Sequence, residues 1–254
     1  MLRIDAWILM LALFALMIIS ILIGLNAGKK IHKESSIDST ILASLITLLG
    51  LILAFTFSMS VNNYNMRREI IVTEANNIGT AVLRADLYPE ADRNLFRIDF
   101  KKYVDARIDY FTAGTDMKKI IAAQQLSTTI QQKLWNRAVK LSKDSDKVVA
   151  SMQMVPALNN VIDITTTRTY ANVIHLPDTI NYLLFLLSCT CAFYIGYMFA
   201  GKAKFDWLMV GIFCLLTSLV VFVIFDLDRP RRGLIKLDQT NNSIVELKQM
   251  FPEK

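Results

Sequence analysis

The chain has 254 residues, 54% of them hydrophobic, with 28 Lys and Arg against 22 Asp and Glu for a formal charge of +6. So large an apolar share, with a positive mean hydropathy, exceeds what an ordinary water-soluble fold can bury. The excess is gathered into four blocks, each meeting the length of about 20 apolar residues that crosses roughly 30 Å of hydrocarbon.

The first block, residues 6–25, carries no charge. With Arg3 before it and Ala27 after it, it could pass for a cleaved secretory signal, but it is longer than the roughly 7–15 apolar residues of such a signal and is read as a span. The second block covers 41–61. From Ser39 to Leu87 there is no proline, and the only glycines are Gly50 and Gly79. One continuous helix is therefore expected, on the order of 70 Å long at 1.5 Å per residue. It would leave the bilayer near Asn62 and end at Tyr88-Pro89.

Within this second span Ser44, Thr47, Gly50, Ala54 and Ser58 recur as small or hydroxyl-bearing residues, the usual surface for close helix contact in a membrane. Phe55, Ser58 and Asn62 also align at helical spacing. Repeated around a symmetry axis they would form a hydrophobic constriction opening into a polar vestibule. Packing and pore lining both remain open at this point.

Beyond Asn62 the pattern becomes amphipathic, with Ile70, Ile71, Ala75, Ile78 and Val82 on one side and Arg67, Glu74, Asn77 and Arg84 on another. Two further amphipathic helices follow. Residues 95–111 carry Phe96, Phe100, Tyr103, Val104 and Ile108, and residues 120–141 carry Ile121, Leu126, Ile130, Leu134 and Trp135. Ala113-Gly114-Thr115-Asp116 reads as the turn between them, with Thr115 or Asp116 as N-cap. After a polar break at 143–147, Pro156 is expected to open another helix that runs through Asn160, Asp163 and Arg168.

The third block covers 179–201 and the fourth 207–225; Trp7, Tyr182 and Trp207 stand at block ends, where amphipathic rings favour the headgroup layer. Four crossings place both termini and the 62–177 segment on one face. That face carries Arg3, Arg67, Arg68, Arg168, Arg229, Arg231, Arg232 and Lys236 against Lys29, Lys30, Lys33, Lys202 and Lys204 on the other, so the positive-inside rule makes it cytosolic.

The expected fold is an all-α integral membrane protein, with four transmembrane helices in two hairpins, 1–61 and 178–226, flanking a helical cytosolic domain at 62–177. A cytosolic tail, 227–254, completes the chain.

Common phosphate, dinucleotide, metalloprotease and hydrolase motifs are missing, so no enzyme is read and no catalytic residue assigned. Cys189, Cys191 and Cys214 fall inside spans, and the two histidines, His32 and His175, stand apart from them, so neither a zinc site nor another cofactor is expected. Nucleic acid is not an expected partner; the bilayer, further copies of the chain and small inorganic ions are.

Where the fourth span ends stands Asp226-Leu-Asp228-Arg229-Pro-Arg231-Arg232-Gly233. Either Pro230 and Gly233 stop the helix, the aspartates keep the turn in register and the arginines meet lipid headgroups, or Asp226 and Asp228 pair with Arg67, Arg68 or Arg84 at the root of the long helix. Residues 51–89 and this DLDRPRRG run resemble the bacterial bestrophin-like domain family of unknown function, and the layout of spans and insert agrees with it along most of the chain.

A more distant similarity to true bestrophins, pentameric anion channels with a helical cytosolic part, rests on Phe55, Tyr64, Arg67 or Arg68, and Glu69 or Glu74. The chain departs from them in lacking a proline-bearing neck and a dense acidic run, so pore residues, selectivity and calcium control are not carried over. The expectation is a homo-oligomeric, anion-conducting channel of the bacterial inner membrane. Phe55, Ser58 and Asn62 would line its pore, Arg67, Arg68 and Glu74 its vestibule, and Asp226, Asp228, Arg229 and Arg231 a structural motif at the membrane interface. The alternatives are a non-conducting scaffold that binds a partner through its soluble helices, and an enzyme acting on lipid headgroups if Asp226 and Asp228 face a cavity.

Overall fold

The computed structural model describes residues 5–31, 36–200 and 206–251. Among these the regular structure is helical, with no strand. Eight α-helices follow in order: α1 Ala6–Ile31, α2 Ser36–Arg84, α3 Glu90–Thr112, α4 Met117–Leu141, α5 Val148–Ala171, α6 Asp178–Met198, α7 Trp207–Leu227 and α8 Asp238–Glu246. Four of them, α1, α2, α6 and α7, are long and apolar enough to cross a membrane. The expected loop at 202–206 lies outside the described residues except for Asp206, which caps α7 by accepting from the backbone N–H groups of Leu208 and Met209.

The chain forms two compact units. The first comprises residues 1–64, 175–229 and 233–235. In it Leu9, Leu13, Met17 and Ile21 of α1, one turn apart, are buried with Ala192 of α6 and Cys214, Val221 and Phe225 of α7. Leu49 of α2 is buried with Leu187 and Cys191 of α6. Contact between α1 and α6 is set by missing side chains. A methyl group built on Gly24 would overlap the Phe193 carbonyl, and one on Gly196 would overlap the carbonyl of Ile21. Backbones that close gain dispersion contact, which is what holds helices together where lipid removes the hydrophobic driving force.

The second unit comprises residues 65–174, 230–232 and 236–254. Its core joins Ile78 and Val82 of α2, Phe96, Phe100, Tyr103 and Val104 of α3, Leu134 of α4, Met154 and Leu158 of α5, and Ile244 of α8. Several polar groups inside it are paired. The Tyr88 hydroxyl lies 3.0 Å from that of Ser151, and Gln131 Nε2 donates to the hydroxyls of Tyr103 and Thr165 at 3.0 and 3.1 Å. Asp99 meets Lys133 at 2.8 Å and Arg137 at 2.7 Å.

Several expectations are met: α2 ends at Arg84, followed by a short 3-10 turn up to Tyr88, and Asp116 is the N-cap of α4, accepting from Lys118 and Lys119. Others are corrected. Pro156 does not open a helix but sits inside α5, which begins at Val148. The proline leaves the Met152 carbonyl without its helical donor, and that is tolerated because Met152 and Pro156 lie on an exposed side of α5. On α4 the buried face is Ile120, Ala123, Ser127, Ile130 and Leu134, while Ile121 and Leu126 are exposed, because a face that includes hydroxyl and amide groups is invisible to a reading of apolar residues alone. The tail also holds a helix, α8, that the sequence reading did not list.

The α1 and α6 packing is directly testable. Gly196→Leu is expected to lower the thermal unfolding midpoint of the detergent-solubilised protein, with a loss of about 1–3 kcal/mol from overpacking. Gly211→Leu, where an added carbon meets nothing within 4 Å, should leave the midpoint unchanged.

Candidate functional site

On α2 one face stays open along many turns. Phe55 is 62% exposed, and Leu51, Ser58, Asn62, Asn65 and Glu69 on the same side are exposed too, as are Phe57 and Met59 off that line, while Leu49, Thr56 and Ser60 are buried. The small residues Ser44, Thr47, Gly50, Ala54 and Ser58, one candidate surface for helix packing, are likewise exposed, and nothing lies within 4 Å of a carbon built on Gly50. Ser44 and Thr47 donate their hydroxyls to carbonyls one turn back in their own helix, at 2.9 and 2.8 Å. That side of α2 is therefore not consumed by packing within the chain.

Farther along α2, in the second unit, two of the residues expected to face a vestibule are buried. Arg67 is 2% exposed and donates from Nε to the Ala171 carbonyl at 3.1 Å and from Nη2 to the carbonyl of Ile174. Glu74 is wholly buried and is held by Nε of Arg107 on Oε1 and Nη1 of Arg168 on Oε2. Arg168 passes its Nη2 to Asn241 Oδ1 of α8. Arg68 alone of the three is exposed.

The reason is periodic. Arg67 and Glu74 fall on the same α2 face as Ile70, Ile71 and Ile78, so a helix that buries those residues carries the charges inward with them. Sequence reading missed Arg107, Tyr110 and Asn241. For Arg107 and Tyr110 the signal was present in the 4, 3, 4, 3 spacing of Phe96, Phe100, Tyr103, Arg107 and Tyr110, which puts a guanidinium on the core stripe of α3.

Burial alone would raise the Glu74 carboxyl, but the two guanidiniums outweigh it and hold the group below its ordinary value. The same pairing keeps Arg107 charged against its own burial.

At the end of α7 the DLDRPRRG run forms a turn built on its aspartates. Asp226, 1% exposed, accepts the backbone N–H of Leu234 at 3.0 Å and of Ile235 at 2.8 Å. Gly233 makes this possible with a φ of +101° and no side chain, since a Cβ there would collide with the Asp226 carboxylate. Asp228 accepts the N–H of Leu176 at 3.0 Å and lies 3.5 Å from the Asn63 amide, and His175 Nδ1 is 2.8 Å from its carbonyl. Arg229 is buried with its guanidinium over the Phe225 ring, and Arg231 donates to the carbonyls of Tyr110 and Gly114.

The carboxylate of Asp226 is thus engaged by amides of its own turn. The same commitment removes Asp226 as a lipid-cleaving carboxylate. Among the described residues no cluster of His, Cys, Asp and Glu could hold a metal ion.

Glu74→Gln should destabilise the protein by about 3–5 kcal/mol, because two buried guanidiniums lose their counter-charge. A carboxyl with a lowered folded pKa stabilises fully above its unfolded value near 4.5 and loses that contribution as pH falls through the lowered value. Thermal unfolding followed from pH 7 into the acid range should therefore show a decline below about pH 4.5 in the wild type that is weaker in the variant.

Residues 9–242 match the family described as Bestrophin-like domain. A crystal structure of a bacterial bestrophin homologue from Klebsiella pneumoniae shares the fold with a TM-score of 0.71 at 12% identity, covering 96% of this chain and 99% of that one. A single-substitution variant of that homologue gives 0.71 at 14% identity over 96% and 99%. A structure described as that of a membrane protein gives 0.65 at 12%, again over 96% and 99%. Identities this low speak to fold alone. No curated protein matches the sequence. With a family match over nearly the whole length and a shared helical fold, this membrane protein belongs to the bestrophin-like domain family.

Proposed function

We propose that the chain is the subunit of a homo-oligomeric ion channel in the bacterial inner membrane, passing anions along an axis lined by α2. The observation that carries this reading is the uncovered side of α2, where Phe55, Ser58 and Asn62 share one face and Phe55 remains 62% exposed. A ring of such phenylalanines narrows a pore by dewetting, and the asparagines a turn or two beyond it rehydrate the ion. Four apolar helices are consistent with an even number of crossings, which would leave residues 62–177 and the tail on one side, where the arginine excess argues for the cytosol.

In this scheme the two membrane hairpins are 1–61 and 178–226, and the second unit supplies the vestibule, with Arg68 as its cation. Arg67 and Glu74 act from inside the unit as structural charges. A ring of five subunits, as in the bestrophins, suits a one-helix-per-subunit lining. Glu69 lies on the line continued from Asn62 and favours a second reading, a cation path, since a ring of carboxylates attracts cations and repels anions.

Purified protein in liposomes should release chloride or another halide down its gradient, and Phe55→Ala should raise that flux several-fold by widening the apolar ring. Reversal potentials under sodium chloride gradients separate the anion reading from the cation one. Absence of flux for any small ion would favour the scaffold instead, as would a monomer or dimer by native mass spectrometry in mild detergent. Single cysteines placed at Gly114 and at Lys236 should be labelled from the same side of sealed vesicles; labelling from opposite sides would overturn the topology.

A further inference from the structure

The second unit encloses a cavity of about 360 Å³, within the range of small-ligand pockets. Its lining combines apolar side chains, Ile71 of α2 and Phe111 of α3, with the cations Arg67, Arg168, Arg231 and Lys236. For Arg168, Arg231 and Lys236, partners among the described residues orient the charge more than they neutralise it. Arg231 is held by the carbonyls of Tyr110 and Gly114 at 3.0 and 3.2 Å, and neither it nor Lys236 pairs with a carboxylate among the described residues. Arg168 shares its one carboxylate, Glu74, with Arg107. Asp238 is the one carboxylate among the residues that line the space.

A second observation points the same way. Three guanidiniums converge on the ring of Tyr110, Arg231 at 4.4 Å, Arg107 at 4.6 Å and Arg168 at 5.7 Å from its centroid. The terminal nitrogens of Arg107 are buried and have no hydrogen-bond partner among the described residues. Burial pushes the Tyr110 hydroxyl up, yet the charge of Arg231 beside it wins and holds it below its ordinary value. Arg168 and Arg231, which line the cavity together with Lys236, are thus crowded by a third guanidinium behind the lining, and mutually repelling cations favour an anion that brings the missing charge.

We propose that this cavity binds a small organic oxyanion, its phosphate or carboxylate head against Arg168, Arg231 and Lys236 and its apolar part against Ile71 and Phe111. Guanidinium forks match the planar and tetrahedral oxygens of such heads, and the charge-assisted bonds they form are among the strongest available. Chloride, a single-atom anion with no apolar part, uses neither the fork geometry nor the apolar lining. The site stands whether or not the chain conducts, because it is defined by binding.

Titration of the full chain in neutral detergent with phenyl phosphate, followed by calorimetry at constant ionic strength, should give saturable binding that is tighter than for inorganic phosphate. Lys236→Glu, at an exposed position without an ion pair, should weaken it by about tenfold or more. Arg231→Gln should do the same, with circular dichroism confirming its fold. No saturable binding at millimolar phenyl phosphate, or unchanged affinity in Lys236→Glu, would overturn the proposal. Repeating the titration in nanodiscs with and without phosphatidylglycerol identifies the source: competition by the lipid assigns the site to a headgroup phosphate, and none assigns it to a soluble oxyanion.

Discussion

Helices that turn leucine, isoleucine and phenylalanine outward on every side need a solvent other than water. In α1, Trp7, Leu11, Ile19 and Ile23 are each at least half exposed, and α6 and α7 show the same with Leu186, Leu208 and Leu216. Hydrocarbon supplies that solvent at no cost in exposed apolar area, and it then withdraws the hydrophobic force from helix association. What remains is close packing, which explains why Gly24 and Gly196 stand where α1 and α6 meet. Everything else in the first unit follows from this exchange of one driving force for another.

In the second unit the rule is the ordinary one for a helical bundle with an apolar core, with an added difficulty. Its α2 face buries two charged residues among isoleucines, and an isolated buried charge costs several kcal/mol even after relaxation. Glu74 meets that cost by holding two guanidiniums at once, and Asn241 accepts from Nη2 of Arg168. A network of this kind gives little net stability over a well-packed apolar core, but it punishes any misaligned helix by leaving a charge unpaired. It thereby fixes the register of α2 against α3, α5 and α8.

The turn after α7 works by the same economy on a smaller scale. Asp226 gathers the amides of Leu234 and Ile235, which the turn after α7 would otherwise leave orphaned, and Gly233 supplies the backbone conformation and the room. A run that reads as a basic patch for lipid thus has acidic residues holding its shape, while Arg229 and Arg231 are turned onto aromatic rings.

Length and hydropathy alone were enough to place four spans, the unbroken α2, the turn at Asp116 and an all-helical architecture, because each of these depends on composition and local spacing along one segment. The resemblance in residues 51–89 and 226–233 was likewise a property of the string. Which partners the charges take could not be read in that way. Arg67 and Glu74 looked like solvent-facing residues, since a single helix shows which residues share a face but not what lies across from them. Only the packing of α3, α5 and α8 around α2 brought Arg107, Arg168 and Asn241, from 33, 94 and 167 positions along the chain, to one buried carboxylate and its neighbour.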